Sequence, residues 1–210
     1  NALKKSALKK SIFRKILVDN DLNQAACLQA TCLEEMQELR NAGIKAPIAI
    51  IPNSINVPEN LPTLAKADKF RLVFVGRINV IKNIDGLMRA WAIAGMAKRD
   101  DAELMIIGGP NLDAEKQYQE ELIRLEKELG ITNINWAGMK TGAEKDNLLR
   151  TCSFAVLPSY SENFGMVIPE ALINGIPCIA SDKTPWKMLE ANHCGWSTPN
   201  NPESMAIVIR

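Results

Sequence analysis

The strongest constraint on this chain is an alternation that repeats between residues 70 and 180. Short apolar runs take turns with segments whose apolar residues recur at helical spacing. The runs are Leu72-Val73-Phe74-Val75, Leu104-Met105-Ile106-Ile107, Ile134-Asn135-Trp136-Ala137, Phe154-Ala155-Val156-Leu157 and Ile176 to Ala180. Continuous rather than alternating hydrophobicity marks strands buried on both faces. Between them, Ile84, Leu87, Trp91 and Ala94 form one helical stripe, Leu122, Leu125 and Leu129 a second, and Met166, Val167, Ala171 and Leu172 a third. Asn83 is a candidate cap for the first of these helices. Thr141-Gly142-Ala143-Glu144 has capping-box spacing before Leu148 and Leu149, and Asn174-Gly175 is a helix stop. Such alternation predicts an α/β protein with a doubly wound, Rossmann-like parallel sheet.

In a sheet of order 3-2-1-4-5-6 the first and fourth strands are neighbours, and ligands bind beyond their carboxyl ends. Two turns leave those ends here. The first, Gly76-Arg77-Ile78-Asn79-Val80-Ile81-Lys82, has one glycine and is not a dinucleotide fingerprint. It brings a guanidinium and an ammonium to a helix start, a combination suited to a diphosphate. Cations placed there also stabilise charge that develops on a leaving nucleoside diphosphate. The second turn follows Pro158 and carries Glu162, Asn163 and Gly165. Glu170 comes eight positions after Glu162, near the start of the next helix.

The stretch from Glu162 to Asp182, with its N-F-G turn and its A-L-I-N-G-I-P-C-I-A-S continuation, resembles the E-x7-E signature of retaining glycosyltransferases of family 4. Arg77 and Lys82 resemble that family's phosphate loop. The resemblance runs over about residues 24 to 200 and is strongest from 70 to 182. It implies the C-terminal half of a GT-B fold. Arg77 and Lys82 would meet the donor diphosphate, beginning at Gly76. Glu162 and the backbone of Asn163, Phe164, Gly165 and Met166 would meet the donor sugar. Glu170 would accept from the ribose hydroxyls, with Gly109 and Met139 near the base. The leaving phosphate would help to deprotonate the acceptor. Asn83 stands where the family often has glycine, and Thr184 to Leu189 replaces a frequent G-G-x-P-E.

Before residue 70 the pattern is looser. Ala25 to Ala30 reads as a short strand, Thr31-Cys32-Leu33-Glu34 as a capping box, and Ile48 to Ile51 as a second strand ending at Pro52-Asn53. The resemblance makes residues 1–54 the tail of an N-terminal acceptor domain. Residues 55–69, with two prolines, read as a linker, and 70–210 as the donor-binding domain. Residues 3 to 17 carry six cations and no acid and read as a helix packed on a missing N-terminal domain, peripheral membrane contact being the alternative. The chain does not begin with methionine, and it is expected to be a fragment of a longer protein.

Net charge is +1, which gives no case for nucleic acid. No apolar run approaches bilayer length. Five scattered cysteines lack zinc-ligand spacing and suit a cytoplasmic protein with reduced thiols. Asp19-Asn20-Asp21 has the form of a metal-holding D-x-D but lacks a preceding apolar strand, so it reads as a solvated helix end. His193 has no acid at useful spacing and reads as structural. The four tryptophans read as core or interface residues.

Together with Arg77 and Lys82, the resemblance implies a metal-independent, retaining hexosyltransferase without a bound cofactor. Such an enzyme would take a nucleoside diphosphate sugar and a sugar or lipid-linked acceptor in bacterial polysaccharide or glycolipid synthesis. The fragment alone is expected to be inactive. The alternatives are a GT-B-fold sugar-nucleotide 2-epimerase and a nucleotide-sugar-binding module without turnover.

Overall fold

The computed structural model describes residues 19–57, 59 and 68–210. The basic stretch 3 to 17 lies outside the described residues, as does most of the stretch read as a linker. The chain divides into two compact units, Asn1–Ser54 and Ile55–Arg210.

In the first unit, α1 (Asp19–Gln24) precedes β1 (Leu28–Ala30), α2 (Leu33–Asn41) and β2 (Ile48–Ile50). The two strands pair in parallel, Leu28 with Ile48 and Ala30 with Ile50. Two expectations shift here. The first strand begins at Leu28 rather than Ala25. The helix begins one residue later than the Thr31–Glu34 spacing implies: Cys32 is the N-cap, and its Sγ accepts from the Glu35 N–H. Glu35 reaches back to the backbone N–H of Thr31 at 2.6 Å.

The second unit holds β3 (Phe70–Val75), a 3₁₀ turn (Val80–Lys82), α3 (Ile84–Ile93), β4 (Ala102–Ile107), α4 (Asp113–Glu128) and β5 (Ile134–Gly138). It continues with α5 (Gly142–Leu149), β6 (Phe154–Leu157), α6 (Val167–Ile173), β7 (Cys178–Ser181), β8 (Gly195–Thr198) and α7 (Pro202–Ile209). All pairings are parallel, and the order β5-β4-β3-β6-β7-β8 is the expected 3-2-1-4-5-6.

Successive strand residues feed opposite faces of this sheet. Leu72, Phe74, Leu104, Ile106, Val156 and Ile179 pack with Leu87 and Trp91 of α3, Leu122 of α4 and Met205 of α7. Val73, Met105, Ile107, Ala155, Leu157 and Cys178 pack with Leu149 of α5 and Ile168 and Ala171 of α6. Helices thus cover both faces, as continuous apolar strands require. Trp91 lies in this core, whereas Trp196 on β8 is 42% exposed. Thr141 occupies the N-cap of α5 without a side-chain cap bond, and Glu144 pairs with Lys140 instead. Among the described residues no helix is long and apolar enough to cross a membrane.

Candidate active site

Because every strand of the sheet runs the same way, the loops after β3, β4, β5 and β6 leave one edge, and the proposed ligand groups all sit on these loops or just beyond. The loop starts are stitched together by backbone bonds. Gly76 N–H donates to Ile107 O at 2.9 Å, and Gly108 N–H donates to Gly138 O at 2.9 Å. Gly108 has φ of +151°, and a Cβ there would lie 1.8 Å from Gly76 O, so only glycine lets the two loops approach this closely. At Gly109, which is partly exposed and whose carbonyl accepts from Ile78 N–H at 3.4 Å, an added Cβ would meet nothing within 4 Å, so there is open space beside that backbone. Met139, after β5, is exposed.

The loops after β3 and β6 meet directly. Tyr160 N–H donates to Ile81 O at 2.9 Å. Lys82 Nζ forms an ion pair with Glu162 Oε1, both side chains being mostly buried. Ser159, fully buried, donates its hydroxyl to the same carboxylate oxygen at 3.1 Å. Lys82 ends the 3₁₀ turn that Asn79 caps by accepting from Ile81 N–H. Arg77 lies on the solvent side, with 61% of its side chain exposed and Nη1 3.9 Å from Glu115.

Asn83 is the N-cap residue of α3, as its position suggests, and its carbonyl accepts from Leu87 N–H at 3.1 Å, but its side chain is used elsewhere. It takes the left-handed conformation, φ 54°, and makes no side-chain cap bond. Its buried Nδ2 donates to Pro158 O at 3.1 Å and Asn200 O at 2.8 Å, tying the loop after β6 to the segment before α7. Phe164, Gly165 and Met166 carry the chain into α6. Gly165 has φ of +79°, and a Cβ there would lie 2.6 Å from Leu157 Cδ2. Trp186 packs its ring edge-on to Phe164 at 5.3 Å and donates its indole N–H to the Phe164 carbonyl. Asn163 is exposed at the tip of the turn. Glu170, in the first turn of α6, has its own cation, Lys145 of α5, at 2.7 Å.

The two carboxylates singled out by sequence are therefore each paired with a different lysine. The sequence reading places Lys82 at the diphosphate and names neither lysine as a partner of these carboxylates. Lys145, Ser159, Glu115 and Trp186 join the site through folding and carry no spacing signal of their own. Asp21 is exposed on α1, and His193, φ 53°, sits in an exposed turn before β8. Among the described residues no group of three or more His, Cys, Asp or Glu side chains is placed to hold a metal ion.

The family model of glycosyl transferases group 1 matches residues 58–210. The chain belongs to that family. A D-inositol 3-phosphate glycosyltransferase from Mycolicibacterium smegmatis is 35% identical over 122 residues, 58% of this chain and 26% of that protein. The chain spans about a quarter of the length of the curated relatives it matches. Among solved structures, sucrose-phosphate synthase from Thermosynechococcus elongatus superposes with a TM-score of 0.76 at 22% identity, covering 91% of this chain and 50% of that one. HepE of Anabaena in complex with UDP gives 0.76 at 21% identity, covering 93% and 58%. These likenesses show that this group 1 glycosyl transferase chain has the Rossmann-like α/β fold of GT-B glycosyltransferases.

Proposed function

We propose that this chain is the donor-binding part of a retaining glycosyltransferase that moves a hexose from a nucleoside diphosphate sugar to an acceptor hydroxyl. One observation carries the reading. At the switch point of the sheet, Lys82 and Glu162 meet from loops 80 residues apart, with the exposed guanidinium of Arg77 on the same loop as Lys82. A cationic loop facing a carboxylate turn matches a donor that is anionic at its diphosphate and hydroxyl-rich at its sugar.

In this reading Arg77 grips the diphosphate bidentately and Lys82 supplies a point charge. Both strengthen their hold as the leaving nucleoside diphosphate gains charge, so they lower the barrier rather than merely bind. Glu162 and the Asn163–Met166 backbone orient the sugar. Glu170 accepts from the ribose hydroxyls, and the backbone of Gly109 and the exposed Met139 lie toward the base. With two cations at the diphosphate, the reading needs no metal. Retention follows if the leaving phosphate assists deprotonation of the acceptor on the face it departs from. The solved likeness of HepE with UDP supports a nucleoside diphosphate donor. That of WaaG, a glycosyltransferase of lipopolysaccharide biosynthesis, supports a bacterial surface polysaccharide or glycolipid acceptor.

The test is a calorimetric screen of the chain against UDP-, GDP- and ADP-sugars, with and without EDTA. Saturable binding of one donor class, unchanged by EDTA, is expected. Absence of binding to all three overturns the reading, and loss on chelation overturns its metal independence. The anomeric configuration of the product made by the longer protein then tests retention and separates transfer from epimerisation.

A further inference from the structure

Glu115, in the first turn of α4, is a carboxylate with 2% of its side chain exposed. Burying such a charge is costly unless donors meet it. Four do. Oε2 accepts from the backbone N–H groups of Asn111 at 2.7 Å and Leu112 at 3.3 Å. Oε1 accepts from Asn79 Nδ2 at 3.1 Å and faces Arg77 Nη1 at 3.9 Å. The two oxygens serve different structures: Oε2 closes the start of α4, and Oε1 reaches the loop after β3. The bonds from Asn111 and then Asn79 hold its pKa below the ordinary carboxylate value, keeping it charged.

Asn79 extends the contact. While Nδ2 donates to Glu115, Oδ1 accepts from Ile81 N–H at 3.0 Å, and the Asn79 carbonyl accepts from Lys82 N–H at 2.9 Å. One branch from Glu115 therefore runs through Asn79 to the backbone of Lys82. The other runs directly to the guanidinium of Arg77. A helix cap alone would need only Oε2. A negative charge beside a diphosphate site also weakens the local positive potential, so its presence calls for an offsetting gain.

We propose that Glu115 is a positioning residue for the phosphate loop, holding Arg77 directly and Lys82 through Asn79 in a preformed arrangement. The gain is preorganisation: a long exposed arginine and a one-turn 3₁₀ segment are fixed before the ligand arrives. This rests on the reading of Arg77 and Lys82 as diphosphate ligands.

Glu115→Gln separates the two jobs of the side chain. The amide oxygen still accepts from Asn111 and Leu112, while its NH₂ turns a donor toward Asn79 Nδ2 and Arg77. Asn79→Ala is the second variant; it cuts the branch to Lys82 and leaves α4 untouched. Dissociation constants for UDP, GDP and ADP, and for the matching nucleosides, are measured by calorimetry on the chain, both variants, Arg77→Ala and the Arg77→Ala/Glu115→Gln pair. For the diphosphate that binds the unaltered chain, Glu115→Gln is expected to raise Kd about tenfold, with nucleoside binding unchanged. Asn79→Ala should act in the same direction, and the paired variant should lose less than the product of its single losses. Diphosphate binding by Glu115→Gln as tight as the parent, or equal losses for nucleoside and diphosphate, overturns the proposal while Arg77→Ala still shows a loss. If Arg77→Ala itself changes nothing, or no diphosphate binds, the functional reading falls and this inference with it.

Discussion

A Cβ on Gly86 would lie 2.2 Å from Oδ1 of Asn83. Glycine in a helix costs up to about 1 kcal/mol relative to alanine, so propensity does not explain its place in the first turn of α3. The missing methyl is the room taken by Asn83, which is 1% exposed. Asparagine also tolerates the positive φ there better than most residues do. Gly86→Ala is therefore expected to lower stability by about 1–3 kcal/mol, as overpacking does, against the trend of helix propensity. Adding Asn83→Gly should recover part of that loss, because glycine keeps the positive φ and vacates the space. Denaturant titration of the three variants decides this; a Gly86→Ala chain as stable as the parent would refute it.

Trp186 braces the turn proposed to hold the donor sugar, through its N–H on the Phe164 carbonyl and its edge contact with the Phe164 ring. A hydrogen bond of this kind is worth about 1 kcal/mol net, and an aromatic pair about 0.5–1.5 kcal/mol. Trp186→Leu should weaken a nucleoside diphosphate sugar several-fold and the free nucleoside diphosphate much less. Trp186→Phe, which keeps a ring and loses the donor, should fall between. Parallel calorimetric titrations measure it, and equal losses for the two ligands would detach Trp186 from the sugar turn.

The apolar runs located β3, β4, β6 and β7 because a strand buried on both faces must be apolar throughout, whereas β5, an edge strand with Asn135 exposed, was found through Ile134, Trp136 and its place in the alternation. β8 escaped because it carries fewer apolar residues than even the other edge strand, β5. It is an edge strand paired only with β7, and Gly195-Trp196-Ser197-Thr198 offers one large apolar residue, itself half out in solvent. The shifted cap of α2 has a similar origin. Glu34 and Glu35 are adjacent, so two capping registers have nearly equal sequence support, and only the helix start chooses between Thr31 and Cys32. The loops at the switch point were legible because strand order follows from the alternation. Side-chain partners were not: nothing in the spacing distinguishes Lys145 from the other surface lysines until α5 and α6 pack beside each other.

Burial pushes the Cys152 thiol up to about 11 and the Cys178 thiol up to about 12, from an ordinary value of 9.0. A thiol whose folded pKa is raised keeps its proton longer in the folded state. Its contribution is complete below pH 9 and is lost as pH rises through 11 to 12. At about 1.4 kcal/mol per unit of pKa, unfolding free energy should drop by a few kcal/mol over that window. Cys178→Ala should flatten the slope. Under native conditions at neutral pH a maleimide should label exposed Cys27 first and leave Cys152 and Cys178 unreacted. An alkaline slope identical in parent and Cys178→Ala chains would contradict this.

Lys145 and Glu170 set the last expectation. Lys145 Nζ holds Oε1 of Glu170 at 2.7 Å, with 16% and 29% of the two side chains exposed. A partly exposed pair of this kind adds little to stability, so its value lies in fixing the carboxylate. With Oε1 anchored, Oε2 is left as the oxygen to accept from the ribose hydroxyls in the proposed reading. A carboxylate accepts from such hydroxyls more strongly than an amide oxygen does. Glu170→Gln should therefore weaken a ribonucleoside diphosphate by about 1.5–3 kcal/mol, and its 2′,3′-dideoxy analogue hardly at all. Lys145→Met should show the same selective loss at smaller size, because it frees the carboxylate without removing it. Calorimetry with both nucleotides on both variants reads the difference. If Glu170→Gln weakens the dideoxy analogue as much as the ribonucleotide, Glu170 does not bind ribose, and the pair with Lys145 serves only to join α5 to α6.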